Sequence, residues 1–261
     1  RALAAAGVAP EELDIIILGT SSPDRNYPSD ACSVQAAIGA VNAVAFDISA
    51  ACAGFIFAMN IVEGFFKAGI YKTALIIGAE TLSKVTDWSD RGTCVLFGDG
   101  AGAAVLKAEE TGIIDMMMGA DGTKGDVLAC TSRTVGNFLT GTKPELGFMT
   151  MDGQEVFKFA VRKVPESVME LLQRTGTKKE DIKYYVLHQA NERIIEAAAR
   201  RLKEPMEKFP MTIGQFGNTS TASIPLLLDD MIQKDMLKRS DKIIMSGFGA
   251  GMTWGAVLME W

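Results

Sequence analysis

Cys52 sits in the stretch AFDISAACAGFIFAMNIVEGFF, residues 45–66, where an apolar run of strand type passes into a segment that is apolar on nearly every side. A cysteine at or just before the first turn of a helix meets unpaired backbone N–H groups and a partial positive charge, which favour thiolate over thiol. The same N–H groups can hold a developing oxyanion. Ala50, Ala51 and Ala53 leave room around the sulfur, and Gly54 permits close approach of backbone or ligand. The chemistry this suits is nucleophilic catalysis by a thiol. An unpaired cysteine is more often a small buried hydrophobe, so the assignment depends on partners. His188, the one histidine in the chain, closes the apolar run YYVLH, and strand ends in open α/β sheets line active-site crevices. Asn218 lies in the turn FGNTSTASIP, ahead of an apolar helix expected from near Ile224. Asparagine in a turn ordinarily serves the backbone; Cys52, His188 and Asn218 at three strand ends form a candidate catalytic set. A metal centre is not expected, since one histidine and scattered cysteines lack ligand spacing.

The elements that must position these residues are short apolar runs: DIIILGT (14–20), AVAFDIS (43–49), TALIIGA (73–79), YYVLHQA (184–190) and KIIMSGF (242–248). Helical segments separate them, which predicts buried, largely parallel sheets in an α/β protein. The glycine runs FGDGAGAAV (97–105) and SGFGAGMTWG (246–255) follow strands but lack the Lys-Ser/Thr of a phosphate loop, and they read as close backbone packing.

The chain also repeats itself. GVAPEELDIIILGT from Gly7 matches GTKKEDIKYYVLHQ from Gly176 without a gap, an offset of 169 residues. The same offset pairs Gly78 with Gly247, and it lays the Cys52 turn over FGNTSTASI with Thr221 in the cysteine's place. Further on, GAAVL (102–106) matches WGAVL (254–258) at an offset of 152, so the first copy carries an insertion around ETLSKVTDWSDRGTCVL. Two duplicated halves are expected, 1–112 with the cysteine and 113–261 with the histidine and asparagine. Before Gly176 run the helical pattern GQEVFKFAVRKVPESVMELLQRT and the candidate strand GIIDMMMGA, whereas only RALAAA precedes Gly7. By that comparison the first half is incomplete at its N-terminus by roughly 55 residues, a strand and most of a helix.

At 261 residues and 48% hydrophobic content the chain can bury a large core. A net charge of −6 without a dense basic tract argues against a protein whose whole surface binds nucleic acid, so any anionic partner must use a local patch. Cys32, Cys52, Cys94 and Cys130 have no short paired spacing, which suits a reducing cytoplasm. No apolar run approaches the roughly 18 residues of a membrane span. The start, RALAAAGVAP, has neither an initiator Met nor the form of a signal peptide and looks like a cut.

Five separated stretches, SAACAGF around Cys52, DRGTCVLFGDGAGAAVL from Asp90, LHQAN around His188, GNTSTAS from Gly217 and GFGAGMTWG from Gly247, closely resemble β-ketoacyl-ACP synthase III. The likeness runs through the whole chain in order. It implies a thiolase-like fold of five αβαβα layers and the starter condensation of type II fatty acid synthesis. An acyl group, commonly acetyl, would pass from CoA to Cys52 and then condense with malonyl-ACP to give a 3-oxoacyl-ACP. His188 and Asn218 would hydrogen-bond the malonyl thioester carbonyl, and the backbone N–H groups of Cys52 and Ala250 would form the oxyanion hole. Arg91 would contact the CoA nucleotide, Phe157 would line the pantetheine tunnel, Asn191 would bond the pantetheine arm, and Tyr27 would reach into a partner subunit's acyl pocket. The resemblance thus implies acyl-CoA and acyl carrier protein as partners, a homodimer, and no cofactor.

The segment NERIIEAAARRLKE places Arg193 and Arg200 seven residues apart on one helix face with Arg201 adjacent. Such a face on an acidic protein suits an acidic carrier, which the family docks here and near Lys158; the alternative is a solvated face laced with Glu192 and Glu196. Elongating synthases use two histidines and thiolases a second cysteine near the C-terminus, and neither pattern is present. A related acyltransferase or starter ketosynthase of secondary metabolism, and a non-catalytic acyl-binding fragment, are the rival readings.

Overall fold

A computed structural model of the chain describes residues 1–145 and 147–261. In chain order the first elements are α1 (Ala2–Ala6), β1 (Ile15–Gly19), α2 (Asp30–Ile38), β2 (Val44–Ile48), α3 (Gly54–Lys67), β3 (Thr73–Glu80), β4 (Gly100–Lys107) and β5 (Ile113–Ala120). They are followed by β6 (Leu128–Cys130), β7 (Met149–Met151), α4 (Gly153–Thr175), β8 (Ile182–Leu187), α5 (Glu192–Leu202), α6 (Ile213–Phe216), α7 (Ser223–Gln233), β9 (Lys242–Gly249) and β10 (Thr253–Glu260).

Because successive side chains of a strand point to opposite faces, a run apolar at every position must be covered on both sides. β1 is such a run: Ile15 and Ile17 pack into one core, Ile16 and Leu18 into another. The first core is the centre of the molecule, where Phe55, Ile56, Met59 and Val62 of α3 and Ile224, Leu227, Leu228 and Met231 of α7 lie between two sheets. Each such buried side chain contributes about 1.5–3 kcal/mol relative to exposure. The first sheet has the order β2-β1-β3-β4, and the second β5-β10-β9-β8. α2 covers the outer face of the first sheet through Ala31 and Val34. α4 and α5 cover the outer face of the second through Phe159, Val168, Leu171, Ile194 and Ala198. Read across, the layers alternate helix, sheet, helix, sheet, helix. β6 and β7 form a separate two-stranded sheet.

The expectation of largely parallel sheets is only half met. β1 pairs parallel with β2 and β3, and β8 with β9. β3–β4, β9–β10 and β10–β5 are antiparallel. The glycine-rich runs are the cause: each returns beside the strand before it, and no crossover helix intervenes. The glycines permit this by close packing, as a Cβ on Gly98 would sit 2.2 Å from the Phe216 carbonyl oxygen and one on Gly102 2.8 Å from Pro225.

The repeat is visible in the backbone. β1, β3 and β4 correspond to β8, β9 and β10, and the turns after β2 and before α7 both begin on a left-handed residue, Ala51 with φ 45° and Ser220 with φ 51°. The insertion of the first half is the connection 81–99 between β3 and β4, where β9 and β10 are joined by three residues, 250–252. β2 has no strand counterpart, since the matching segment forms the short helix α6. β10 carries β5 on its outer side, whereas among the described residues β4 pairs only with β3. A cleft of about 1610 Å³ runs along β4, lined also by α1, α7 and Trp261.

Candidate active site

Cys52 lies in the 3-10 turn Ala51–Ala53 that leads into α3. The left-handed Ala51 costs about 1–2 kcal/mol for a residue with a Cβ. Two hydrogen bonds from the other half hold the turn: Thr221 Oγ1 donates to the Ala51 carbonyl at 2.7 Å, and Thr253 Oγ1 to that of Ala50 at 3.1 Å. Thr253 Oγ1 also lies 3.1 Å from the Ala250 carbonyl, which ties the two segments expected to supply amide donors. Glycine is required beneath the turn, because a Cβ on Gly249 would sit 2.5 Å from the Cys52 nitrogen. Among the described residues neither Cys52 N–H nor Ala250 N–H donates to a backbone carbonyl outside the regular elements.

Asn218 is held by the inserted connection. Its N–H donates to Leu96 at 2.9 Å and its carbonyl accepts from Gly98 N–H at 3.0 Å. Its side-chain Oδ1 accepts from Ser220 N–H at 2.8 Å, which leaves the amide NH₂ as the free end. His188 follows β8, with its N–H donating to the Ser246 carbonyl at 2.8 Å. Its Nδ1 is 2.6 Å from Ser223 Oγ, and its ring stands edge-to-face on Phe248 at 5.4 Å. Nε2 makes no hydrogen bond to a described residue. The structure brings the three residues together: Cys52 and His188 both lie against residues 246–249 of β9, and Ser220 lies beside the Cys52 thiol while bonding Asn218.

All three are buried, with exposures of 7% for Cys52, 2% for His188 and 7% for Asn218. Burial pushes the Cys52 thiol up to about 12, Ser220 beside it pulls the other way, and the charge of Glu80 adds to the rise. Loss of solvation thus works against the thiolate that the start of the helix favours. Burial also pushes His188 down to about 3, so the imidazole is neutral at pH 7. Burial favours the uncharged form of both groups.

The other expected residues lie outside this cluster. Arg91 is exposed in the 81–99 connection. Phe157, on α4, is 37% exposed and is not a core residue. Asn191 caps α5, its Oδ1 accepting from Arg193 N–H at 2.8 Å, and Tyr27 is 85% exposed. Lys158 pairs with Glu155 at 2.7 Å and Arg200 with Glu196 at 3.6 Å, both on exposed helix faces, while Arg193 is exposed. Arg201 is exposed as well and donates to the Val161 carbonyl at 2.6 Å, which anchors α5 to α4. The cleft along β4 is lined by none of the three candidate catalytic residues.

Sequence reasoning missed the residues that support the set. Glu80 is buried and accepts from Ser22 Oγ at 2.6 Å and Ser21 N–H at 3.0 Å, and its other oxygen lies 3.0 Å from Thr221 Oγ1, sharing that hydroxyl's one proton with the nearer Ala51 carbonyl, which links the end of β1 to the second turn. A carboxylate closing the apolar strand TALIIGAE was the available signal. For Ser220, Thr221 and Ser223 it was the run of small hydroxyl residues in GNTSTAS. Among the described residues no cluster of three or more His, Cys, Asp or Glu could hold a metal, and no helix is long and apolar enough to cross a membrane.

Comparison with known proteins gives the same grouping. The family model for 3-oxoacyl-[acyl-carrier-protein (ACP)] synthase III matches residues 46–122, and that for the C-terminal part of the same enzyme matches residues 172–261. The β-ketoacyl-[acyl-carrier-protein] synthase III of Clostridium acetobutylicum is 50% identical over 263 residues, covering 100% of this chain and 81% of the relative. The crystal structure of 3-oxoacyl-[acyl-carrier-protein] synthase III from Aquifex aeolicus superposes with a TM-score of 0.91 at 45% identity, covering 99% of this chain and 80% of that one. The priming β-ketosynthase from the R1128 polyketide biosynthetic pathway superposes with a TM-score of 0.89 at 34% identity, covering 100% and 79%. With a duplicated five-layer fold, a buried thiol at its centre and identity of this extent, the chain belongs to the β-ketoacyl-[acyl-carrier-protein] synthase III family.

Proposed function

We propose that this protein carries out the starter condensation of type II fatty acid synthesis, with Cys52 as nucleophile and His188 and Asn218 as donors to the malonyl enolate. The supporting observation is the orientation of the donor set. Asn218 spends its oxygen on Ser220, and His188 spends Nδ1 on Ser223, so both turn nitrogen ends to the site. Neutral donors around a buried thiol suit a reaction whose transition states develop negative charge on thioester oxygens.

In the first half-reaction the Cys52 sulfur attacks the acyl-CoA carbonyl, and the oxyanion is held by the N–H groups of Cys52 and Ala250. The carbon–sulfur bond to CoA breaks, and the proton of the thiol ends on the departing CoA sulfur. In the second, malonyl-ACP loses carbon dioxide, and the electron pair of the broken bond becomes an enolate held by His188 and Asn218. The enolate carbon attacks the acyl-enzyme carbonyl, and Cys52 leaves as thiolate and takes a proton from solvent. No redox partner or metal is needed for this balance. Residues 1–112 and 113–261 act as the two halves, and each contributes one turn to the site. Arg91, Phe157 and Asn191 serve the CoA and pantetheine path, exposed Arg193 and Arg200 with Lys158 serve the carrier protein, and Tyr27 serves a homodimer contact. A priming synthase of polyketide formation would use the same thiol and donors, and the carrier protein it accepts separates the two readings.

The test is intact mass after incubation with acetyl-CoA, then product analysis with malonyl-ACP. One acetyl group on Cys52 is expected, absent in Cys52→Ala. His188→Ala and Asn218→Ala should retain the acetyl group while condensation falls on the order of a hundred- to a thousand-fold, the loss typical of one oxyanion donor. Label on Cys32, Cys94 or Cys130, or loss of acylation in His188→Ala as complete as in Cys52→Ala, rejects the assignment.

A further inference from the structure

The internal repeat singles out one contact at the site. At the offset of 169 residues His188 corresponds to Gly19 and Ser223 to Gly54. The two positions are neighbours in both halves: a Cβ on Gly19 would sit 3.4 Å from the Gly54 carbonyl carbon, and in the other half His188 Nδ1 lies 2.6 Å from Ser223 Oγ. One half therefore carries a pair without side chains where the other carries a hydrogen bond.

Proton counting orients that bond. Ser223 is buried at 2% exposure, and its Oγ already accepts from Gln189 N–H at 3.4 Å. Among the described residues its hydroxyl proton has no acceptor other than His188 Nδ1. If Nδ1 carried the ring proton, the serine hydroxyl would be left buried without an acceptor, which is unfavourable. We infer that Ser223 is a positioning residue: its hydroxyl donates to Nδ1 of His188 and holds the ring as the Nε2–H tautomer, so that the free end of the imidazole is a donor. This deepens the proposed role of His188 toward the malonyl thioester and rests on it. It also separates the two jobs an imidazole could do here, since a ring protonated at Nε2 cannot take the Cys52 proton at that nitrogen.

His188 is the only histidine, so protein labelled with ¹⁵N-histidine gives one imidazole spectrum without assignment. Long-range ¹H–¹⁵N correlation at neutral pH is expected to show the Nε2–H tautomer in the wild-type chain. Ser223→Ala should convert it to a mixture or to Nδ1–H, and Ser223→Thr, which keeps the hydroxyl, should restore it. Decarboxylation of malonyl-ACP, read as carbon dioxide release, should fall about tenfold in Ser223→Ala, the size of one neutral hydrogen bond, and return in Ser223→Thr. Wild-type protein in the Nδ1–H form, or a Ser223→Ala chain that keeps either the wild-type tautomer or the wild-type decarboxylation rate, overturns the inference. Should Ser223→Ala fail to fold, the wild-type tautomer and the Ser223→Thr rate still decide it. Wild-type protein with the Nε2–H tautomer and no decarboxylation rejects the proposed function and leaves the tautomer assignment standing.

Discussion

Cys52 and His188 are shifted by one cause in opposite directions, because loss of solvent disfavours whichever form of a group is charged. For Cys52 this means that alkylation by iodoacetamide should be slow at pH 7 and should rise steeply as pH approaches the value of about 12. The charge of Glu80 contributes to that rise, so Glu80→Gln should bring the alkylation profile to lower pH. An unchanged profile would mean that Glu80 acts on the turn through its hydrogen bonds alone. For His188 the consequence is a stability effect. Between 6.5, its ordinary value, and about 3, the unfolded chain binds a proton that the folded chain does not. Stability from this group is fully present above the first value and is lost as pH falls through the second, with a slope of up to about 1.4 kcal/mol per pH unit. Urea unfolding of the wild type and His188→Asn between neutral pH and pH 4 should show the difference in slope. Cys52 has the reverse sign, since its folded value lies above the ordinary 9.0, and its stabilising effect is lost as pH rises toward about 12.

The two turns are the elements on which the site depends, and each packs on glycines of the other half. The Thr221 turn lies on Gly19 and Gly78, where a Cβ at Gly78 would sit 2.4 Å from the Thr221 carbonyl oxygen. The Cys52 turn lies on Gly247 and Gly249. Gly249→Ala should therefore displace the Cys52 N–H, and acetyl transfer from CoA should fall at least tenfold even in protein that remains folded; wild-type acylation would show that the turn can shift without loss. Gly78→Ala is expected to destabilise by about 1–3 kcal/mol through overpacking against backbone, read as a lower urea midpoint. On α5, charge reversal of exposed Arg193 and Arg200 to Glu should raise the apparent KM for malonyl-ACP, an effect that shrinks with added salt because exposed charges are screened within about 8–10 Å. Arg201, bonded to the Val161 carbonyl, should instead affect stability.

At the scale of the molecule the halves share a core that neither completes alone. The central cluster takes Ile15, Phe55 and Ile76 from the first half and Val186, Ile224 and Met245 from the second. The turns of the candidate site are braced across the same seam, as Thr221 and Thr253 hold the Cys52 turn and residues 96–98 hold Asn218. Unfolding is thus expected as one cooperative transition, with loss of near-UV circular dichroism and thiol exposure of Cys52 at the same urea concentration. Two separated transitions would mean that each half closes its own core.

The strands β1, β2, β3, β5, β8 and β9, the long helix Gly153–Thr175, the duplication and the three catalytic candidates were legible in the sequence, because each leaves a local mark: an apolar run, a 3.6-residue periodicity, a repeated turn, a lone cysteine or histidine; β4 and β10, read as glycine packing, and the short β6 and β7 were not. Strand direction was not, since GAAVL and WGAVL read as apolar runs whichever way they lie, and only packing against α7 and β9 makes them antiparallel. The charge state of Cys52 was not either. A helix start is visible in the chain, but the burial that opposes it comes from packing against β9, as far as 197 residues away along the chain at Gly249, and the charge of Glu80 adds to it. The same holds for Ser223 and Thr253, ordinary serine and threonine residues until the fold aims one at His188 and the other at the carbonyls beside Cys52. Residue type announces which groups can react; solvation, proton placement and hydrogen-bond direction depend on neighbours that only the tertiary structure brings together.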